Sequence, residues 1–360
     1  MGTRAYCTWT KPRGHTMEEL KRRFLRQSRK LTDMYPIACL FTFAIITLSI
    51  VPSSFILRAL GLRIVEDVKP QDMSGFTYMT SAYMAFVGVW PVLLLAILIP
   101  PANRRMLKDI LPNGRGNTLA GIALGILGGF VCNAVCIAIS MLIGDVALSF
   151  DLFEPVNLLI LYGAVLVQSG AEEILDRQFL YEKLRRRYKS PWVAIIGNSI
   201  FFAALHLANP GITALSVAQI FTVGVLFSLF VYYFDSLWAA IFFHTTWNYT
   251  QNIIFGCPNS GVVSAYSIFK MDAASTGPFF DATFGVEGSV GAVCILVALC
   301  VGAVVYAKRN QLQPQDLWAD LNKPIDDRDD YGPVYVPKAE PRQEQEPAAE
   351  APSAPRHFAK

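Results

Sequence analysis

The chain has 360 residues, of which 53% are hydrophobic and 16% charged, with a formal net charge of +3. That is too apolar for an ordinary soluble enzyme, and a charge this small is better explained by orientation in a membrane and attraction to anionic lipid than by a nucleic-acid footprint. The reading therefore starts from membrane spans and proposes no nucleic-acid partner.

The first 35 residues are polar and basic, with no apolar region that would read as a cleavable signal peptide. Within them, Met17 to Leu31 places Met17, Leu20, Phe24 and Leu31 among six Lys and Arg. This pattern fits either a basic helix lying on a membrane surface or a solvated segment that sets topology.

Eight windows are long and apolar enough for a helix of about 20 residues to cross a bilayer. They are Pro36 to Leu57, Phe76 to Pro100, Thr118 to Ile143, Val156 to Leu175, Pro191 to Ala208, Ala214 to Phe234, Leu237 to Phe255 and Gly288 to Ala307. The expected fold class is thus all-α, a polytopic membrane protein of about eight transmembrane helices, with a membrane domain over 36–307. Pro91 predicts a kink in the second span. Gly121, Gly125 and Gly129 repeat every fourth residue in the third, leaving a bare strip on which another helix can pack.

Alternating the loops places Arg58, Arg63, Lys69 and Lys270 opposite the N-terminus and the rest of the 31 Lys and Arg on its side. The positive-inside rule then predicts a multi-pass protein of the cell membrane with both termini cytoplasmic. Lys183, Arg185, Arg186, Arg187 and Lys189 form a basic inner segment, and Trp192 and Trp238 sit at inner span ends. Of the seven cysteines, Cys257 alone falls on the outer side, so a disulfide framework is not expected. The outer loop 257–287 carries no motif, and the proline-rich stretch 308–360 reads as a disordered cytoplasmic tail.

Chemistry concentrates in the fourth, fifth and seventh spans. From Pro155 to Gly170 the only ionisable side chain is Tyr162, and the stretch then closes on Glu172 and Glu173. Carboxylates in such a place need partners, water or a reaction to account for them. Glu173 and Arg177 stand four apart and can pair on one helical face, which leaves Glu172 the freer acid, with Asp176 at the same spacing from it. His206 lies one turn after Phe202, and His244 one turn before Asn248. Counted at about 1.5 Å per residue from the inner side, Glu172 lies about 20 Å deep, His206 about 24 Å and His244 about 14 Å. Tilt or a water-filled cavity is needed to bring them to one level.

In that order, Glu172-Glu173-x-x-x-Arg177, Phe202-x-x-x-His206 and His244-x-x-x-Asn248 resemble the three motifs of the CPBP family, the CAAX prenyl protease and bacteriocin-processing intramembrane endopeptidases that include lysostaphin resistance protein A-like members. The resemblance covers roughly residues 156–255. It implies hydrolysis of a peptide bond of a membrane-associated or prenylated protein or peptide. Glu172 with His206 would activate water, and His244 with Asn248 would stabilise the oxyanion. Arg177 would hold Glu173, and Phe202 would wall the chamber. The helical zinc signature His-Glu-x-x-His is absent. Glu172, His206 and His244 could still supply three ligands to a divalent metal such as zinc, but a metal-free glutamate mechanism is favoured. The competing readings are a transporter or proton-coupled carrier, since buried Glu and His also build ion pathways, and a non-catalytic membrane scaffold or immunity protein.

Overall fold

The computed structural model describes residues 31–63, 73–314 and 316–319, all belonging to one compact unit spanning Met17–Asn322. The expected basic helix at Met17 to Leu31 and most of the expected tail lie outside the described residues. In chain order the helices are α1 (Tyr35–Ala59), α2 (Gly75–Met84), α3 (Val89–Leu98), α4 (Leu119–Ile143), α5 (Pro155–Glu173), α6 (Tyr181–Arg187), α7 (Pro191–Leu205), α8 (Ala214–Phe234), α9 (Leu237–Tyr249) and α10 (Val290–Arg309).

The chain is an all-α polytopic membrane protein. Six helical stretches among the described residues have the length and hydropathy to cross a membrane: Tyr35–Ala59, Gly75–Leu98, Leu119–Ile143, Pro155–Arg187, Ala214–Phe234 and Val290–Arg309. Their outward residues include Leu119, Leu142, Val156, Leu159 and Phe55, each at least 70% exposed. Such a surface is stable against lipid, not water. The other two expected spans are shorter helices. α7 stops at Leu205, three residues before the expected end, where Pro210 and the left-handed Gly211 follow closely. α9 keeps regular α geometry only to Tyr249 and runs on as a π-helical turn, Thr250–Ile254.

Local sequence explains many boundaries. Thr118, Thr213, Ser236 and Ser289 each cap a helix by accepting the backbone N–H three residues on. In the second span the interruption is a 3-10 turn, Ala85–Gly88, just before Pro91. The proline ring crowds the carbonyl four residues earlier, so the disturbance precedes the proline. Ser53 Oγ then accepts the Gly88 N–H at 2.9 Å.

The glycine strip of α4 does what its spacing predicts. A Cβ on Gly125 would lie 2.7 Å from the Ala239 carbonyl oxygen, and one on Gly129 2.4 Å from that of Phe243. Bare backbone lets α9 lie directly on α4, and α5 covers another side of α9. α8 packs against α7 and α10.

The periphery is ordered as well. The loop 257–287, which carries no motif, is built: Phe269–Ala274 (β2) pairs antiparallel with Val146–Phe150 (β1). Buried side chains of the π turn also hold the loop, with Gln251 Nε2 donating to the Pro258 carbonyl at 2.6 Å and Asn252 Nδ2 to that of Cys257 at 2.9 Å. The basic inner segment packs into the fold. Lys183, Arg185 and Arg186 are buried. Lys183 pairs with Asp33 at 3.1 Å and Arg185 with Asp316 at 3.3 Å, while Arg186 bonds Asp33 through Nε at 2.6 Å. Trp318, within the expected disordered tail, is 1% exposed and donates Nε1–H to Glu182 at 2.7 Å. Order therefore extends past Lys308, because Trp318 and Asp316 find an aromatic-cation and ionic seat on α6.

Candidate active site

One cavity of about 460 Å³ gathers residues from most of the helices. Glu172, Phe202, His206, His244 and Asn248 all line it, whereas Glu173 and Arg177 stand behind its wall. Despite the difference in depth counted along ideal helices, these residues share one cavity. His206 comes at the very end of α7, and His244 approaches Glu172 directly, with Nε2 3.8 Å from Oε2.

Beyond Glu173 the helix loosens into a π-helical stretch, Ile174–Leu180, carrying Asp176 and Arg177. Such a bulge turns side chains away from α-helical phase and is frequent at functional sites. Glu173 and Arg177 still meet: Nη1 donates to Oε1 at 3.1 Å, and neither side chain is exposed. The same Oε1 is 2.8 Å from His244 Nδ1. Glu173 thus joins the guanidinium of its own helix to the imidazole of α9. Arg177 also lies over the rings of Phe202, at 4.2 Å, and Phe227, at 5.4 Å, which gives the buried cation a second kind of support.

The tautomers follow from these bonds. His206 Nδ1 is 2.8 Å from the Phe202 carbonyl oxygen, which can only accept, so Nδ1 carries hydrogen and Nε2 is left for proton exchange. His244 Nδ1 faces the Glu173 carboxylate and donates to it, which turns Nε2 toward Glu172. Glu172 Oε1 accepts a short hydrogen bond from Gln168 Nε2, and its Oε2 has no hydrogen-bond partner. Asn248 Nδ2 donates weakly to Gln168 Oε1 at 3.4 Å.

Gln168, four residues before Glu172, was open to discovery from spacing alone, being a polar residue on the same face of an apolar helix. Other lining groups had no such signal. Asn259, Ser260 and Glu287 come from the loop over the site, and Phe43, Ile46, Met79 and Phe86 come from the first two spans. Glu287 is 6% exposed, and its Oε2 accepts from the Ser260 N–H at 2.7 Å and Oγ–H at 2.6 Å. Its position depends on Gly285, at φ +86°, where any side chain would collide with the Pro258 carbonyl.

Among the described residues no group of three or more His, Cys, Asp or Glu is arranged to hold a metal ion. Glu172 and His244 approach one another, but His206 does not complete a three-ligand set with them.

Residues 154–250 match the family model described as type II CAAX prenyl endopeptidase Rce1-like. The matched segment runs from the residue before α5 to the first residue after α9 and contains all three motifs, in agreement with the CPBP resemblance. No curated protein and no solved structure matched the chain.

Proposed function

We propose that this chain, a multi-pass membrane protein whose residues 154–250 are of the type II CAAX prenyl endopeptidase kind, hydrolyses a peptide bond of a membrane-associated or prenylated protein or peptide with water activated by glutamate. The observation carrying this reading is the convergence of Glu172, His206, His244 and Asn248 on one cavity that has a polar end and a largely apolar wall.

Glu172 Oε2, which has no hydrogen-bond partner, is the proton acceptor for a water molecule held between it and His206 Nε2. As the water oxygen bonds to the scissile carbonyl carbon, its proton passes to Glu172 and the carbonyl oxygen becomes an oxyanion. His244 Nε2 and the second N–H of Asn248 face the same space and can donate to that oxyanion. The donor role requires His244 to be protonated on both nitrogens, and Glu172 and Glu173 supply the counter-charge. Collapse of the tetrahedral intermediate breaks the C–N bond, and the amine leaves with the proton held by Glu172. Arg177 acts through Glu173, pairing with that carboxylate and so holding His244 oriented.

Both termini and the α6–α7 connection face the cytoplasm in this reading, supported by the Lys/Arg asymmetry. The direct test uses purified full-length protein in lipid nanodiscs, incubated with prenylated and unprenylated peptide libraries and read by mass spectrometry. New termini should appear with wild type and vanish with Glu172→Gln. Absence of cleavage products with wild type would overturn the proposal.

A further inference from the structure

Three carboxylates, Glu172, Asp176 and Glu287, line the cavity, and no Lys or Arg does so among its described lining residues. Asp176 is wholly buried, and neither of its oxygens has a hydrogen-bond partner. Arg177, next in sequence, attracts Asp176 without hydrogen-bonding to it, while giving Nη1 to Glu173 and laying its guanidinium over Phe202. A carboxylate out of water with no partner is a costly arrangement unless something supplies the counter-charge. Glu287 adds to the same field: its Oε2 is held by Ser260, and its Oε1 makes no hydrogen bond among the described residues. Burial pushes the Glu287 carboxyl up from its ordinary range, against the pull of Ser260 and the two imidazoles.

We infer that the cavity selects a peptide segment bearing a Lys or Arg side chain near the scissile bond, with Asp176 as the carboxylate that receives it. This rests on the protease reading and deepens it. Asp176 follows Glu172 by four residues across the start of the π-helical stretch, and both line the cavity, so the two carboxylates stand on the order of one helical turn apart, about 5 Å. An extended peptide covers that distance in about two residues. The basic residue therefore falls within about two positions of the bond that Glu172 attacks. A substrate carboxylate at the same place would face Asp176 and Glu172 together and be disfavoured. A proton on Asp176 is the rival way of neutralising it, and the two make different predictions.

The experiment uses the full chain in lipid nanodiscs and an apolar peptide series with Lys, norleucine or Glu at each of two positions on either side of the cleaved bond. Lys should exceed norleucine by roughly 10- to 100-fold in kcat/KM at one position, the scale of one charge-assisted hydrogen bond, with Glu the poorest. Asp176→Asn should bring the Lys-to-norleucine ratio close to one. Equal use of Lys and norleucine, or a ratio preserved in Asp176→Asn, would overturn the inference in favour of a protonated wall residue. Binding of the same fluorescent peptides to the Glu172→Gln chain, read by anisotropy, separates the two levels. Tighter binding of the Lys peptide without wild-type cleavage would sustain the cationic subsite and sink the protease reading. Equal binding of the two peptides would sink the subsite, and this comparison still decides should Asp176→Asn fail to fold.

Discussion

His244 Nδ1 lies 2.8 Å from Glu173 Oε1, so the carboxylate that pairs with Arg177 also fixes the imidazole facing Glu172. Adjacent acids thus divide the work. Glu173 belongs to the scaffold of the site and Glu172 to its open space.

Glu172→Gln should abolish turnover in a protein that still folds, because the amide cannot take a proton from water yet has nearly the shape of the acid. Product formation by mass spectrometry, beside thermal unfolding of the same sample, checks both halves. An active variant would remove Glu172 from the water-activating role.

Arg177→Ala should chiefly destabilise. It leaves Glu173 buried without its cation and opens space beneath Phe202 and Phe227, a loss on the order of 3 to 5 kcal/mol for a broken buried pair. A large fall in unfolding temperature in detergent is expected. An unchanged unfolding temperature would show that the pair is not what holds α5 to its neighbours.

Asn248→Ala should lower kcat by about 10²- to 10³-fold, the usual scale for one oxyanion donor, with less change in KM. Steady-state kinetics on a cleaved peptide reads both constants. Unchanged kcat would reject the oxyanion assignment and leave Asn248 as the partner of Gln168 alone.

Topology is open to thiol labelling. Native Cys257 is fully buried and unsuitable as a reporter, so exposed Ala273 in β2 and exposed Lys189 before α7 should carry the introduced cysteines. In intact cells a membrane-impermeant reagent should modify the variant at 273 and not the one at 189. The opposite pattern would invert the protein in the membrane.

The residues carrying the site were readable because their periodicities are local. A carboxylate pair closing an apolar segment, and polar residues one turn apart on two further helices, identify faces without any knowledge of packing. The glycine strip on α4 was readable for the same reason, since close approach needs only the absence of side chains every fourth residue. Convergence was not readable. Counting depth along ideal spans separated His206 and His244 by about 10 Å, yet both line one cavity, which depends on how the helices tilt and pack against one another. Helix ends and π bulges are decided by tertiary contacts that single-helix periodicity does not contain. Likewise, the burial of Lys183, Arg185 and Arg186 was not readable, since Asp33 and Asp316, which pair with them, are distant in sequence. Glu287 had no neighbouring pattern to announce it. Its place in the cavity depends on Gly285 and Ser260 folding a loop back over helices far earlier in the chain. Sequence fixes which faces must be buried or wet, but which faces meet depends on long-range packing, and that only the folded chain supplies.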